Sequence, residues 1–206
     1  MKQLLAMLAL VSICLVPAHA DVIYTSSPDF LSNVQPGYYT ETFDEDYGPM
    51  PPRDYGDGAF TFNASAAADL YQVRGVLSLV TPRVPLVIAF NGADVNAVGG
   101  NFFITNGSGS FRPVGVSITL SNGTTQTFTP ATLEDSYRGF VTDAFITSLT
   151  IDIGDIPSFY VTLDNLTIGR AADPAPVPEP ASLAIVGAGL LGLAAVRRRK
   201  HRINTH

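Results

Sequence analysis

The sequence predicts an all-β protein: a single β-sandwich of jelly-roll type, preceded by a signal peptide and followed by one short C-terminal transmembrane helix. Three observations carry that prediction. Between residues 21 and 170, about ten short segments rich in Val, Ile, Phe, Tyr and Thr are divided by Gly, Pro, Asn and Asp. No stretch of that region shows the 3.6-residue apolar period of a long amphipathic helix. In one segment Val114, Val116, Ile118 and Leu120 alternate with Gly115, Ser117, Thr119 and Ser121, so a single face is apolar.

The chain begins with Lys2, an apolar stretch from Leu4 to Val16, Pro17 and the small-residue pattern Ala18-His19-Ala20. A charged start, a short hydrophobic middle and an Ala-x-Ala end predict a secretory signal peptide over residues 1–20, cleaved after Ala20. The body then opens with a short strand at Val22 to Tyr24. Ser27-Pro28-Asp29-Phe30-Leu31 offers a cap-like Ser followed by Pro, which suits a single helical turn. Tyr38 to Phe43 reads as a strand, and Tyr47 to Gly58, rich in Gly, Pro and Asp, reads as a surface loop. Further strands are expected around Phe60 and Phe62, then at Val76 to Val80, Val84 to Phe90 and Asn101 to Thr105.

The segment around Asn122 and Gly123 tests strand register. A two-residue Asn-Gly turn would place Phe128 on the face opposite Val116 and Ile118. A three-residue turn with a left-handed Gly123 pairs Leu120 with Thr124 and Val116 with Phe128, and burial favours that register. Gly139 to Val141, Ser148 to Ile153 and Ser158 to Ile168 supply the last strands. In the final one Phe159, Val161 and Leu163 have odd parity, whereas Leu166 and Ile168 are even. A bulge at Asp164-Asn165 accounts for the switch.

Residues 21–170 are long enough for one well-buried domain, and residues 171–176 form a Pro-rich spacer. From Asp21 to Pro176 there are six arginines, no lysine and seventeen acidic residues, a net charge of −11. Nucleic-acid binding relies on clustered cations and is excluded by that balance. The single cysteine, Cys14, lies in the leader, and the histidines lie at positions 19, 201 and 206. The body therefore has no disulfide, no thiol nucleophile, no Ser-His-Asp triad and no histidine-built metal site.

After the spacer come Val177-Pro178-Glu179-Pro180, an uncharged run from Ala181 to Val196, and the basic end Arg197, Arg198, Arg199, Lys200, His201, Arg202. Sixteen residues make a helix of about 24 Å, short for a hydrocarbon core of about 30 Å, and the arginines can snorkel to close the gap. The basic cluster orients the span with the body outside the inner membrane. Gly187, Gly189 and Gly192 match the spacing of a dinucleotide-binding turn, but only fourteen residues follow and none is acidic, so no nucleotide is expected.

That order of parts, together with an N-terminal signal peptide, resembles the PEP-CTERM class of exported bacterial proteins, over residues 177–202. The resemblance implies that the tail is a sorting signal read by an exosortase, a cysteine-protease-like membrane enzyme that cleaves near the Pro-Glu-Pro motif. Carried over, Pro178, Glu179 and Pro180 are the recognition element, residues 181–196 the transmembrane part, and Arg197, Arg198, Arg199, Lys200 and Arg202 set its topology. The protein is then a substrate of the sorting and Sec export machinery and not an enzyme. It implies a Gram-negative, exopolysaccharide-producing or biofilm-forming source. Ser117 to Phe128, Gly139-Phe140 and Leu163-Asp164-Asn165-Leu166 before Gly169 also resemble, more loosely, the later half of β-sandwich domains common in this class; that similarity names no ligand.

Three chemistries remain for the body. Glu41, Asp44 and Asp164, with Glu45, Asp46 and Asn165 nearby in sequence, would meet if the first and last strands lie side by side, and hard oxygens of this kind suit a structural calcium. The alternative is that they are solvated edge charges. Tyr38, Tyr39, Tyr47, Tyr55 and Tyr71 could offer aromatic faces to extracellular polysaccharide or belong to the core and rim. Paired carboxylates for glycoside hydrolysis cannot be placed at a working separation, since Glu134 and Asp135 are adjacent and would point apart on a strand. The resulting expectation is an exported structural or adhesive protein of the cell surface or extracellular matrix, with a carbohydrate-binding module as the alternative.

Overall fold

The computed structural model describes residues 21–92 and 94–172. The predicted signal peptide with Ala18 and Ala20, the Pro-Glu-Pro motif, the 181–196 span and the basic end lie outside the described residues. In chain order the elements are β1 (Val22–Tyr24), α1 (Ser27–Leu31), β2 (Tyr39–Glu41), β3 (Gly48–Met50), β4 (Arg53–Asp57), β5 (Phe60–Ser65), β6 (Leu70–Val73), β7 (Val76–Leu79) and β8 (Leu86–Gly92). They continue with β9 (Ala97–Asn106), β10 (Phe111–Arg112), β11 (Val116–Leu120), β12 (Thr125–Phe128), a 3-10 turn (Glu134–Ser136), β13 (Tyr137–Val141), β14 (Ser148–Asp152) and β15 (Phe159–Gly169).

Two antiparallel sheets form the predicted sandwich. One runs β1-β13-β9-β15-β7-β6-β3, with β10 on β9 and β2 on β15; the other runs β12-β11-β14-β8-β5-β4. From β7 onward the chain repeatedly crosses between them, so most neighbours within a sheet are distant in sequence. Apolar side chains from both sheets meet in one buried core, among them Leu77, Phe102, Phe140 and Leu163 from the first and Phe62, Ile88, Ile118 and Ile151 from the second. Alternation of side chains across a strand sends the intervening residues to the outer faces.

The register tests come out as the apolar pattern requires. Val116 lies opposite Phe128, the Leu120 N–H donates to the Thr124 carbonyl at 2.9 Å, and Gly123 is left-handed at φ +96°. The Asn122 side chain accepts the Thr124 N–H at 3.0 Å, which holds the turn. In β15 the pairing with β9 slips between Asp164 and Thr167, and Asn165 takes φ +51°, so a bulge does restore the inward parity of Leu166 and Ile168. At that bulge the other edge of β15 changes partner, from β7 at Leu163 to β2 at Leu166.

Three expectations differ from the structure. The stretch from Tyr47 to Gly58 is not a plain loop, because it contains β3 and β4. Each is the outermost strand of its sheet, where Pro49 and the left-handed Gly56 are tolerated because one edge needs no partner. The cap of α1 is Ser26, one residue before the predicted Ser27: its Oγ accepts the Asp29 N–H at 3.3 Å, with Pro28 in the first turn. The body also extends past Arg170, since Ala171 N–H donates to Asn96 and Ala172 N–H to the Asn33 carbonyl.

Helix α1 covers part of the outer face of the larger sheet. Phe30, fully buried, packs there with Val34, Ala97 and Tyr137 in a second small core. It can approach because β9 and β13 place Gly99 and Gly139 opposite each other beneath it. A Cβ on Gly139 would sit 2.5 Å from the Phe30 ring. Further along, the same face is uncovered.

Candidate functional site

The uncovered part of that outer face is a groove of about 270 Å³ running across β3, β6, β7, β15 and β9 to the turn at Asn106 to Gly109. Most of its strand residues are the outward-facing alternates of strands whose other members build the core. In β6 and β7, Tyr71 pairs with Ser78 while Leu70 and Leu79 point inward. In β15, Tyr160 and Thr162 flank the inward Val161, and in β9, Phe103 and Thr105 flank the inward Ile104.

The floor is polar. Ser78, Thr105 and Thr162 are all buried, and their hydroxyls form a chain: Ser78 Oγ donates to the Val161 carbonyl at 2.9 Å, Ser78 and Thr162 are 3.2 Å apart, and Thr162 and Thr105 are 2.9 Å apart. The walls are aromatic and apolar, with Tyr71 38% exposed at one side, Tyr160 and Phe103 at the other, and Val73, Val76 and Val80 between. No lining residue carries a charge.

The sequence-predicted residues fall elsewhere, with one exception. Of the five tyrosines, only Tyr71 reaches the groove. Tyr55 stacks on Phe62 against the core and donates to Gln72 Oε1 at 2.6 Å, and its burial raises its pKa above the usual phenol range. Tyr39 donates to Glu41, Tyr47 lies under the Arg53 guanidinium at 3.8 Å, and Tyr38 packs beside Gly169. Nothing in the sequence singles out Tyr160, Phe103 or the hydroxyl chain; strand parity places each of them outward, but their convergence depends on a strand order that sequence does not reveal.

The acidic residues are only partly gathered. Asp164 is pushed up to about 6, first by burial and then by the nearby Asp44 carboxylate, against the opposing hydrogen bond from the Asn165 N–H at 2.6 Å. Glu41 does not join them. Its two oxygens accept the Tyr39 hydroxyl and the Phe43 N–H, which holds buried Phe43 at φ +52°. Among the described residues no group of three or more His, Cys, Asp or Glu side chains is placed to hold a metal ion. Glu134 and Asp135 lie in a 3-10 turn rather than on a strand.

Among the described residues no helix is long and apolar enough to cross a membrane. Outside them, residues 176–200 match the family described as the PEP-CTERM protein-sorting motif, which contains Pro178, Glu179 and Pro180 and ends at Lys200 within the basic cluster. No curated protein matches the chain. Among solved structures, the CBM22-1 xylan-binding domain of Xyn10C from Paenibacillus barcinonensis is similar at 16% identity, covering 66% of this chain and 95% of that one, with a TM-score of 0.34; a likeness that loose carries no argument about ligand. The sorting motif indicates export and delivery to the cell surface in Gram-negative bacteria, with an exosortase as the processing partner. The chain thus carries a PEP-CTERM protein-sorting motif at residues 176–200.

Proposed function

We propose that the protein passes through the inner membrane as an anchored intermediate, is released by cleavage near Pro178-Glu179-Pro180, and serves at the cell surface or in the extracellular matrix as a structural or adhesive component of exopolysaccharide. The motif at residues 176–200 is the observation that carries this reading. An acidic, lysine-free body supports it, since such a surface stays soluble among anionic cell-surface polymers. A non-catalytic role is supported by the absence, among the described residues, of any histidine or cysteine and by the structural use of Glu41.

A second reading, a carbohydrate-binding module, is favoured by the groove. Uncharged aromatic walls over a hydroxyl floor suit a sugar, which has apolar ring faces and many hydroxyl edges. The two readings are compatible, because adhesion to a matrix requires something that the body grips.

Fractionation tests the matrix role. In a host that makes exopolysaccharide the mature protein should remain with the matrix fraction, and in an isogenic strain lacking the polymer most of it should appear in the medium. Equal retention in both strains would contradict the proposed role.

A further inference from the structure

The hydroxyl chain beneath the groove has a fixed direction. A hydroxyl carries one hydrogen, and Ser78 gives its own to the Val161 carbonyl at 2.9 Å. In the 3.2 Å contact Thr162 must therefore donate to Ser78, and in the 2.9 Å contact Thr105 must donate to Thr162. All three hydrogens are consumed along the chain. What the floor offers is lone pairs: two on Thr105 at the chain's end and one on Ser78, Thr162 being fully buried between them.

We propose that this groove on the outer face of the larger sheet is a binding site for a neutral sugar chain, whose hydroxyls donate to Thr105 and Ser78 while its ring faces lie against Tyr160 and Tyr71. A floor of acceptors recognises a ligand rich in O–H donors. Aromatic walls select one with flat, weakly polar C–H faces. Charge excludes the anionic alternatives: no cation lines the groove to meet a carboxylate or sulfate, and the net −11 of residues 21–176 repels polyanions. Burial sharpens the selection, because a ligand carboxylate set down on this floor would face hydroxyl lone pairs, with no cation in the lining to offset its charge. The site rests on the carbohydrate-binding reading given above and narrows it to uncharged polymers.

The test uses the full chain, purified in a detergent without a sugar headgroup. Affinity electrophoresis through a β-glucan, a galactomannan and dextran, with alginate and polygalacturonate in parallel, should show retardation by at least one neutral polymer and by neither polyuronate. Against the polymer that binds, Tyr160→Ala should weaken binding at least tenfold and Tyr160→Phe by less than twofold, because the ring is the contact. Thr105→Val, nearly isosteric, should weaken it several-fold while the circular-dichroism spectrum stays that of the folded wild type and the midpoint falls by no more than a few degrees. Retardation by none of the neutral polymers, retardation by the polyuronates as strong as by the neutral ones, or full binding by both Tyr160→Ala and Thr105→Val would overturn the site. The failure is separable from that of the sorting reading: a correctly trimmed protein that binds no sugar loses only the groove, and a sugar-binding protein with an untrimmed tail loses only the sorting.

Discussion

Asp164 shows how a single residue couples a break in the strand to pH. The bulge that turns Leu166 and Ile168 inward leaves the Asp164 carboxyl half-buried near Asp44, which raises it to about 6. A carboxyl whose pKa is higher in the fold than in the unfolded chain holds its proton more tightly when folded. Its contribution to stability is therefore full below the unfolded value of about 4 and is lost as pH rises through about 6. After solvent screening, about 1 kcal/mol is at stake, a few degrees in melting temperature. Thermal scans should show the wild-type midpoint falling between pH 5 and 7.5 by more than that of Asp164→Asn, which keeps an oxygen for the Asn165 N–H. Because other acids also titrate, the difference between the two chains is the measure. Parallel pH profiles would contradict this account of Asp164.

At the scale of elements, α1 is a plug fitted to two glycines. Helix, β9 and β13 are compatible only while Gly99 and Gly139 leave room for Phe30, and a methyl at residue 139 would press on its ring at 2.5 Å. Overpacking of this kind costs about 1–3 kcal/mol, so Gly139→Ala should lower the midpoint by several degrees. A compensating Phe30→Leu should restore part of it, and full tolerance of Gly139→Ala alone would refute the tight fit. Gly99, with its neighbour Gly100, also hides the start of a strand: β9 begins at Ala97 rather than Asn101 because these two glycines weaken the strand signal that pairing then supplies. Likewise the Pro, Gly and Asp content of β3 and β4 resembles a loop, and they are strands because β6 and β5 hold their backbones. Where alternation was strong, as from Val116 to Leu120, even the register was legible. The turn needed only Asn122 and a left-handed Gly123 to follow.

On the scale of the whole molecule, fold class and destination were legible, and the candidate site was not. A sandwich follows from many short alternating segments, and a sorting tail follows from the order of motif, apolar span and basic end. The groove depends on β7, β15 and β9 lying side by side, although residues 76–79, 159–169 and 97–106 are far apart in the chain. Tyr160 and Thr162 look in sequence like the polar half of an ordinary strand. Tyr38, Tyr39, Tyr47 and Tyr55 drew attention by number, and the fold sends them to the core or to unrelated surfaces. The sorting motif points this body to the cell surface, and the proposed role requires that the tail be cut away. Intact-mass measurement of the protein from a host with and without its exosortase tests this most directly. A mature C-terminus near Pro178-Glu179-Pro180 is expected in the first strain and a tail still carrying residues 181–202 in the second; a tail intact in both would contradict the proposed cleavage.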